Sequence, residues 1–334
     1  MSPTLSRAEP ASPALRDLYA PVAEEMRQVD ELMRSALRSE HSYIDELVRY
    51  GCMLGGKRLR PALVLLCGKA LGGTVPAHIT MAAVMELVHT ASLIHDDILD
   101  DAATRRHLAT VNSRWDNKAS VLLGDYLFTH AFCLAAAIGS VWACQEIARS
   151  INLVCEGELR QKGARGDYHL NETSYMEIIS AKTATLYACS CALGAHFAGG
   201  TTEQVKQLSL YGQDLGIAFQ IVDDVLDLAG DEATVGKSLG TDLEQQKLTL
   251  PLIHLLSVAE PAQRREVLDI LQCAGNHRRQ ALSPYLERYD AFSYSYAVAR
   301  QYIQSAIRRL DRLPPSVALQ QLQAITEFVV TRSV

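Results

Sequence analysis

The sequence predicts an all-α fold, and three observations carry that expectation. Apolar residues recur at spacings of three and four, as in Leu63, Leu66, Cys67 and Ala70, the period of a helix that packs one face on a core. Strand-like alternation is scarce, and no Asn-Gly or Asp-Gly hairpin turn occurs. Breakers then cut the chain into about ten helical segments. They are Gly55-Gly56, Gly72-Gly73, Gly163 to Gly166, Gly199-Gly200, Gly230, Pro251, Pro284 and Pro314-Pro315.

Along the chain, residues 1–15 are rich in Pro and Ser and lack the apolar core of a signal peptide, so they read as a flexible tail. No Pro- or Ser-rich linker follows, and residues 16–334 read as a single helical domain. The stretches Tyr126–Gln145 and Thr183–Thr202 contain no Asp, Glu, Lys or Arg. Each approaches the length that spans a bilayer. Their Ala, Gly, Ser, Cys, Thr and His content makes them buried helices rather than transmembrane segments.

The 334 residues are 48% hydrophobic and 21% charged, ordinary for a globular protein. A net charge of −6 argues against nucleic acid as the partner, because phosphate backbones select a basic footprint. The eight cysteines form no C-x-x-C pair. They read as reduced, buried small hydrophobes of a cytoplasmic protein, with no zinc site.

One pattern occurs twice. Leu93-Ile94-His95-Asp96-Asp97-Ile98-Leu99-Asp100 and Phe219-Gln220-Ile221-Val222-Asp223-Asp224-Val225-Leu226-Asp227 both end an apolar run in D-D-x-x-D. On a helix, residues i and i+4 share a face, so Asp96 pairs with Asp100 and Asp223 with Asp227. Like charges at that spacing repel, and carboxylates beside Leu93, Ile94, Ile221 and Val222 need compensation when buried. Two such costs in matching form imply a cation. All-oxygen ligands favour Mg²⁺, which takes one or two carboxylates plus substrate phosphates. Two facing clusters would hold a diphosphate through several metals. A single D-D-x-x-D would read equally well as a solvated acidic face; two copies with the basic groups below do not.

Those basic groups suit an anion. Gly55-Gly56-Lys57-Arg58-Leu59-Arg60 sets three cations after two glycines, and Arg105-Arg106 follows the first cluster by a short loop. Lys182-Thr183 opens a nearly uncharged helix. Gly236-Lys237-Ser238 and Lys247-Leu248-Thr249 follow the second cluster. His89 lies seven residues before Asp96, two turns deeper on one side. Glu156-Gly157-Glu158 and Gln161 are explained as well by capping or exposure as by function.

These residues carry a resemblance. GGKRLRP, ELVHTASLIHDDILDDAATRR, NKASVLLGDYLF, EGELRQ, Lys182-Thr183-Ala184, GIAFQIVDDVLD, GKSLGTDLEQQKLTLP and the final FVVTR span nearly the whole chain after the tail. Together they resemble the all-trans isoprenyl diphosphate synthases, the polyprenyl synthetase family. The resemblance implies an isoprenoid synthase-like helical bundle around a deep central cavity, a homodimer, and three Mg²⁺ holding an allylic diphosphate. It implies Asp96, Asp100 and Asp223 as principal metal ligands, with Asp97, Asp224 and Asp227 as further ligands or their supports. Arg105, Lys182, Thr183, Gln220, Lys237 and Lys247 would hold the allylic diphosphate; Lys57, Arg60, His89 and Arg106 would hold isopentenyl diphosphate. The family's usual glycines after the Arg pair and before the second lysine are His107 and Gln246 here, which puts loop shape and rate in doubt.

The implied reaction loses diphosphate from the allylic substrate, adds isopentenyl diphosphate and sheds a proton. In the family, aromatic residues four or five positions before the first Asp stop growth at C15. Here those positions are Ser92 and Ala91, so the product is expected at C20 or longer, and the phrase HTASLIHDDILDDA points to C30–C50. Val88, Met85 and Met81 lie deeper, and closure by Met81 or Met85 would stop growth at C20. The rival readings are a geranylgeranyl or farnesyl diphosphate synthase and a non-catalytic partner subunit. Terpene cyclases and head-to-head synthases fit less well, because the second motif is again all Asp and GGKRLRP is present. The expected location is cytoplasmic, with a peripheral membrane contact for product release.

Overall fold

The computed structural model describes residues 17–54, 56–106, 108–230, 240–273 and 277–331. The tail 1–15, Gly55, His107 and Lys237 lie outside them. In chain order the helices are α1 (Ala23–Ala36), α2 (Ser42–Met53), α3 (Leu59–Ala70), α4 (Pro76–Leu99), α5 (Val111–Arg114), α6 (Asn117–Ala137), α7 (Val141–Gly163) and α8 (Glu172–Ile179). They continue as α9 (Thr185–Phe197), α10 (Thr202–Ala229), α11 (Thr241–Glu244), α12 (Leu250–Val258), α13 (Pro261–Gln272), α14 (Arg278–Arg288), α15 (Ala291–Leu310) and α16 (Val317–Thr331). A two-residue antiparallel hairpin, β1 (Thr104–Arg105) with β2 (Leu108–Ala109), is the only sheet among the described residues. The all-α expectation therefore holds.

The chain divides into two compact units. The first comprises the described parts of Met1–Ala148, Cys189–Ser209 and Arg312–Ala324. Its centre is α4, started by Pro76 in the first turn after the extended Val75. Met81, Ala82, Ala83, Val84, Met85 and Leu87 are all fully buried, as is Glu86, which pairs with Arg58, so this stretch is enclosed on every side, as in a helix wrapped by others. His78 ties it to α9. Its Nδ1 accepts from the Val75 N–H at 3.0 Å, which leaves Nε2 to donate to the Gly194 carbonyl, also at 3.0 Å. At its far end, α4 stops where Asp101 turns left-handed, with φ 47°. The second unit comprises Arg149–Ala188, Leu210–Asp311 and the described part of Ile325–Val334. Buried Tyr211 accepts a hydrogen bond from the Thr326 hydroxyl at 3.0 Å within it.

Four local expectations are corrected. Pro284 does not break the chain but sits inside α14; Pro284 and Gln280 are both exposed, so water can serve the carbonyl that proline leaves without a partner. Tyr126–Gln145 is not one buried helix. Gly139, at φ 74°, separates α6 from α7, and the apolar window of α6 is only 39% buried. Lys182-Thr183 does not open a helix, because both lie in a π-helical turn, Ser180–Ala184, between α8 and α9. Of the eight cysteines only Cys67, Cys189 and Cys191 are buried, while Cys133, Cys155 and Cys273 are exposed on outward faces. By length and composition alone, Pro76–Leu99, Asn117–Ala137 and the continuous Glu172–Phe197 could each cross a membrane, although 67% and 78% of the first and last windows are buried inside the chain.

Candidate active site

In the first unit, α4 delivers the first aspartate cluster and the hairpin delivers the arginines. Asp96 and Asp100 are half-buried, whereas Asp97 is 2% exposed. The Asp100 N–H still bonds the Asp96 carbonyl at 2.9 Å, so the two carboxylates stay one helical turn apart. Arg105 and Arg106 part company in the turn. Arg105 takes hold of Asp97 Oδ1 through Nε at 2.9 Å and Nη2 at 2.8 Å. Arg106, at φ 50°, donates Nη1 to the Leu54 carbonyl at 2.8 Å. Burial pushes the Asp97 carboxyl up, and Arg105 pulls it back only in part. Its second oxygen, Oδ2, is buried and has no hydrogen-bond partner.

Around His89 the GGKRLRP segment adds two more guanidinium groups. Enclosure of the imidazole, then the charges of Arg60, Arg105, Arg106 and Arg58, hold His89 well below the ordinary 6.5 and keep it neutral. Arg60 is 8% exposed, while Lys57 is exposed. Arg58 is anchored by Glu86 at 2.9 Å and Asp30 at 3.6 Å. A cationic pocket of this kind suits a small polyanion.

Counting back from Asp96 by 4, 7 and 11 residues gives Ser92, His89 and Met85 on one stripe of α4. Ser92 and His89 are half-buried; Ala91, Val88 and Met85 are buried, and Met85 sulfur meets the Cys189 thiol at 3.8 Å.

In the second unit, α10 delivers the second cluster, and its members sort in the same way. Asp223 is half-buried, while Asp224 and Asp227 are 5% and 2% exposed. Asp227 is committed to the chain that follows: its oxygens accept from the Thr241 hydroxyl and the Asp242 N–H, both at 3.1 Å. Asp224 accepts from Tyr175 at 2.6 Å and from Gln220 at 2.7 Å. Burial, then the charge of Asp242, push its carboxyl well up; burial, then Asp224, do the same to the Tyr175 phenol.

Lys182 and Thr183 protrude from the π-helical turn, a distortion common at functional sites. Gly157 of α7 and Gly216 of α10 permit the fit. A Cβ on Gly157 would lie 2.6 Å from the Lys182 nitrogen, and one on Gly216 would lie 2.5 Å from the Ala184 Cα. Lys182 Nζ reaches Glu158 at 2.5 Å and Gln161 at 2.7 Å. Thr183 donates to Gln220 at 2.8 Å. Lys247 lies 3.9 Å from Asp242. Lys182, Thr183, Gln220, Asp224 and Lys247 line a cavity of about 70 Å³, room for a few waters.

Sequence reasoning left Glu158 and Gln161 undecided and missed Tyr175 and Glu86. The signal for the first two was their i, i+3 spacing, which puts them on one helix face. No motif marks Tyr175; Glu86 opens the motif ELVHTASLIHDDILDDAATRR, but its partner Arg58 is distant in sequence.

Among the described residues, no three carboxylate, imidazole or thiol groups gather as a metal cage. Mg²⁺ is usually held by one or two carboxylates and completed by substrate phosphates and water. In the first unit, half-exposed Asp96 and Asp100 and the buried Asp97 Oδ2 are oxygen donors of that type, as is half-exposed Asp223 in the second.

Comparison with known proteins agrees. The polyprenyl synthetase family matches residues 41–287. The chain is 35% identical over 313 residues to octaprenyl diphosphate synthase of Escherichia coli K12, covering 93% of this chain and 96% of that one. A decaprenyl diphosphate synthase structure from Rhodobacter capsulatus superposes with a TM-score of 0.90 at 34% identity, covering 95% and 99% of the two chains. A polyprenyl synthase structure from Caulobacter crescentus CB15, complexed with calcium and isoprenyl diphosphate, gives 0.90 at 30% identity, covering 95% and 97%. The chain belongs to the polyprenyl synthetase family, has its all-α isoprenoid synthase fold, and is a prenyltransferase, a trans-polyprenyl diphosphate synthase.

Proposed function

We propose that this synthase joins isopentenyl diphosphate head-to-tail to an allylic diphosphate, with Mg²⁺ as cofactor, and repeats the addition to C30–C50. The observation that carries the reading is the shared sorting of the two aspartate clusters. In each, the members tied to the chain by Arg105, Tyr175, Gln220, Thr241 and the Asp242 N–H are buried, while Asp96, Asp100 and Asp223 are half-exposed. Bound Mg²⁺, three ions by family resemblance, would neutralise the departing diphosphate.

The residues divide the remaining work. Lys182, Thr183, Gln220, Lys247 and, outside the described residues, Lys237 bind the allylic diphosphate. Arg105 adds to this while orienting Asp97. Lys57, Arg60, His89 and Arg106 bind isopentenyl diphosphate, with neutral His89 able to donate without adding charge. No side chain stands out as a dedicated base, so the proton passes to the released diphosphate.

Small Ser92 and Ala91 support growth past C15, and the octaprenyl and decaprenyl names of relatives support a long product. A second reading, arrest at C20, draws on Met85. It lies about 16 Å from Asp96 along α4 at 1.5 Å per residue and is closed over by Cys189.

The apolar outer face of α6, with Leu122 67%, Val121 43% and Phe132 40% exposed, supports a homodimer buried along that helix. The assigned setting is the cytoplasm, with membrane contact limited to product release. Incubation with Mg²⁺, isopentenyl diphosphate and farnesyl diphosphate, followed by chromatographic sizing, tests the reading. Products of C30–C50 support it; products that stop at C20, or a primer left unextended, refute the long-chain assignment.

A further inference from the structure

Tyr175 belongs to none of the motifs that mark the site, yet it begins an ordered relay within the second unit. It stands on α8, is 4% exposed, and donates its hydroxyl to Asp224 Oδ2 at 2.6 Å. Asp224 Oδ1 accepts from the Gln220 amide nitrogen at 2.7 Å, one turn back on α10. The Gln220 carbonyl then accepts from the Thr183 hydroxyl at 2.8 Å, in the π-helical turn. Three hydrogen bonds thus join four side chains in series.

The series has one self-consistent direction. Both Asp224 oxygens accept in the structure, so each neighbour presents a donor. Tyr175 supplies O–H, and Gln220 must turn its NH₂ toward Asp224. That choice faces the Gln220 carbonyl toward Thr183, which satisfies the hydroxyl. The amide orientation is therefore dictated by the network rather than by local geometry. With Tyr175 absent, one oxygen of Asp224 loses its tether, and the carboxylate can rotate toward its exposed neighbour Asp223. Gln220 then has no fixed partner and can flip. Asp224 belongs to a metal-type motif, but one of its oxygens accepts from Tyr175 and the other from Gln220, which in turn holds Thr183.

We propose that Tyr175 is a positioning residue: acting through Asp224 and Gln220, it fixes Thr183 in the π-helical turn and holds Asp224 away from the diphosphate that Asp223, Lys182 and Lys247 serve. The inference rests on the reading of this cavity as the allylic diphosphate site. It assigns the effect of Tyr175 to one substrate, because the relay ends on Thr183, a residue assigned to the allylic diphosphate.

The test is Tyr175→Phe in the full chain, which removes one oxygen and keeps the ring. KM for the allylic diphosphate should rise about tenfold, with KM for isopentenyl diphosphate within twofold and kcat within threefold. In a Gln220→Ala background, Tyr175→Phe should add less than twofold. Isothermal titration with Mg²⁺ and inorganic pyrophosphate should show about tenfold weaker binding to Tyr175→Phe without any need for turnover. Unchanged KM values and unchanged pyrophosphate affinity would overturn the proposal, as would an equal rise in both KM values or a fall in kcat alone. A wild-type chain that binds pyrophosphate but transfers no prenyl group would instead overturn the functional reading, and the titration of the two proteins would still decide the role of Tyr175.

Discussion

Arg105 grips one oxygen of Asp97 with two nitrogens, Nε at 2.9 Å and Nη2 at 2.8 Å, and the other oxygen of that carboxylate is buried without a hydrogen bond. The first aspartate cluster is therefore not three equivalent ligands. Asp97 holds the hairpin against α4, while Asp96 and Asp100 remain half-exposed. Asp97→Ala should lower stability by about 2 kcal/mol, less than a fully buried pair because Arg105 is 28% exposed. Asp96→Ala should leave stability unchanged or raise it. Thermal denaturation of both variants decides this, and an equal loss in the two would contradict the sorting.

Gln246 occupies left-handed backbone, φ 55°, where its carbonyl accepts from the Gly166 N–H at 2.9 Å. The family's usual glycine there has a physical reason. A side chain at this angle costs about 1 kcal/mol, which the lower entropy of the unfolded non-glycine chain largely offsets. Gln246→Gly should leave Tm nearly unchanged, whereas Gln246→Val should cost about 1–2 kcal/mol by crowding a branched Cβ. Equal Tm values for wild type and Gln246→Val would contradict the assignment.

His78 makes stability depend on pH. Burial holds its imidazole below 6.5, so the folded chain binds fewer protons than the unfolded one, and its contribution is fully present above pH 6.5. That contribution is lost as pH falls from 6.5 through the lowered value. Protonation would also set an N–H on Nδ1 against the Val75 N–H. Chemical denaturation from pH 8 to 5 should show stability falling on the acid side, with a shallower fall in His78→Gln. Identical slopes would contradict this.

Product length should follow the stripe below Asp96. Ala91→Phe should shorten the product toward C15. Met85→Ala should lengthen it, or leave C30–C50 unchanged where the path already passes that point. Chromatographic sizing reads both, and an unchanged distribution in Ala91→Phe would contradict growth along α4.

Much of this was legible in the sequence, for reasons particular to each element. The apolar spacing from Met81 to Ile94 marks a helix because burial on all sides leaves only helical periodicity and length to read. The paired D-D-x-x-D clusters mark the site because like charges repeated on a helix need a cation. What stayed hidden depends on contacts distant in sequence. Nothing near Lys182 announces a π-helical turn, because its cause lies in Gly157 and Gly216. Tyr175 looks like any core tyrosine until Asp224, 49 positions away, is placed against its hydroxyl. The outward apolar face of α6 reads as core because periodicity alone cannot separate one buried side from another.

The most direct measurement is steady-state turnover of Asp96→Ala and Asp223→Ala with Mg²⁺, isopentenyl diphosphate and farnesyl diphosphate, alongside their circular dichroism. The account predicts turnover at least about a thousandfold below wild type in each, near 4 kcal/mol of lost transition-state stabilisation, with helical spectra unchanged. Near-normal turnover in either variant would contradict it.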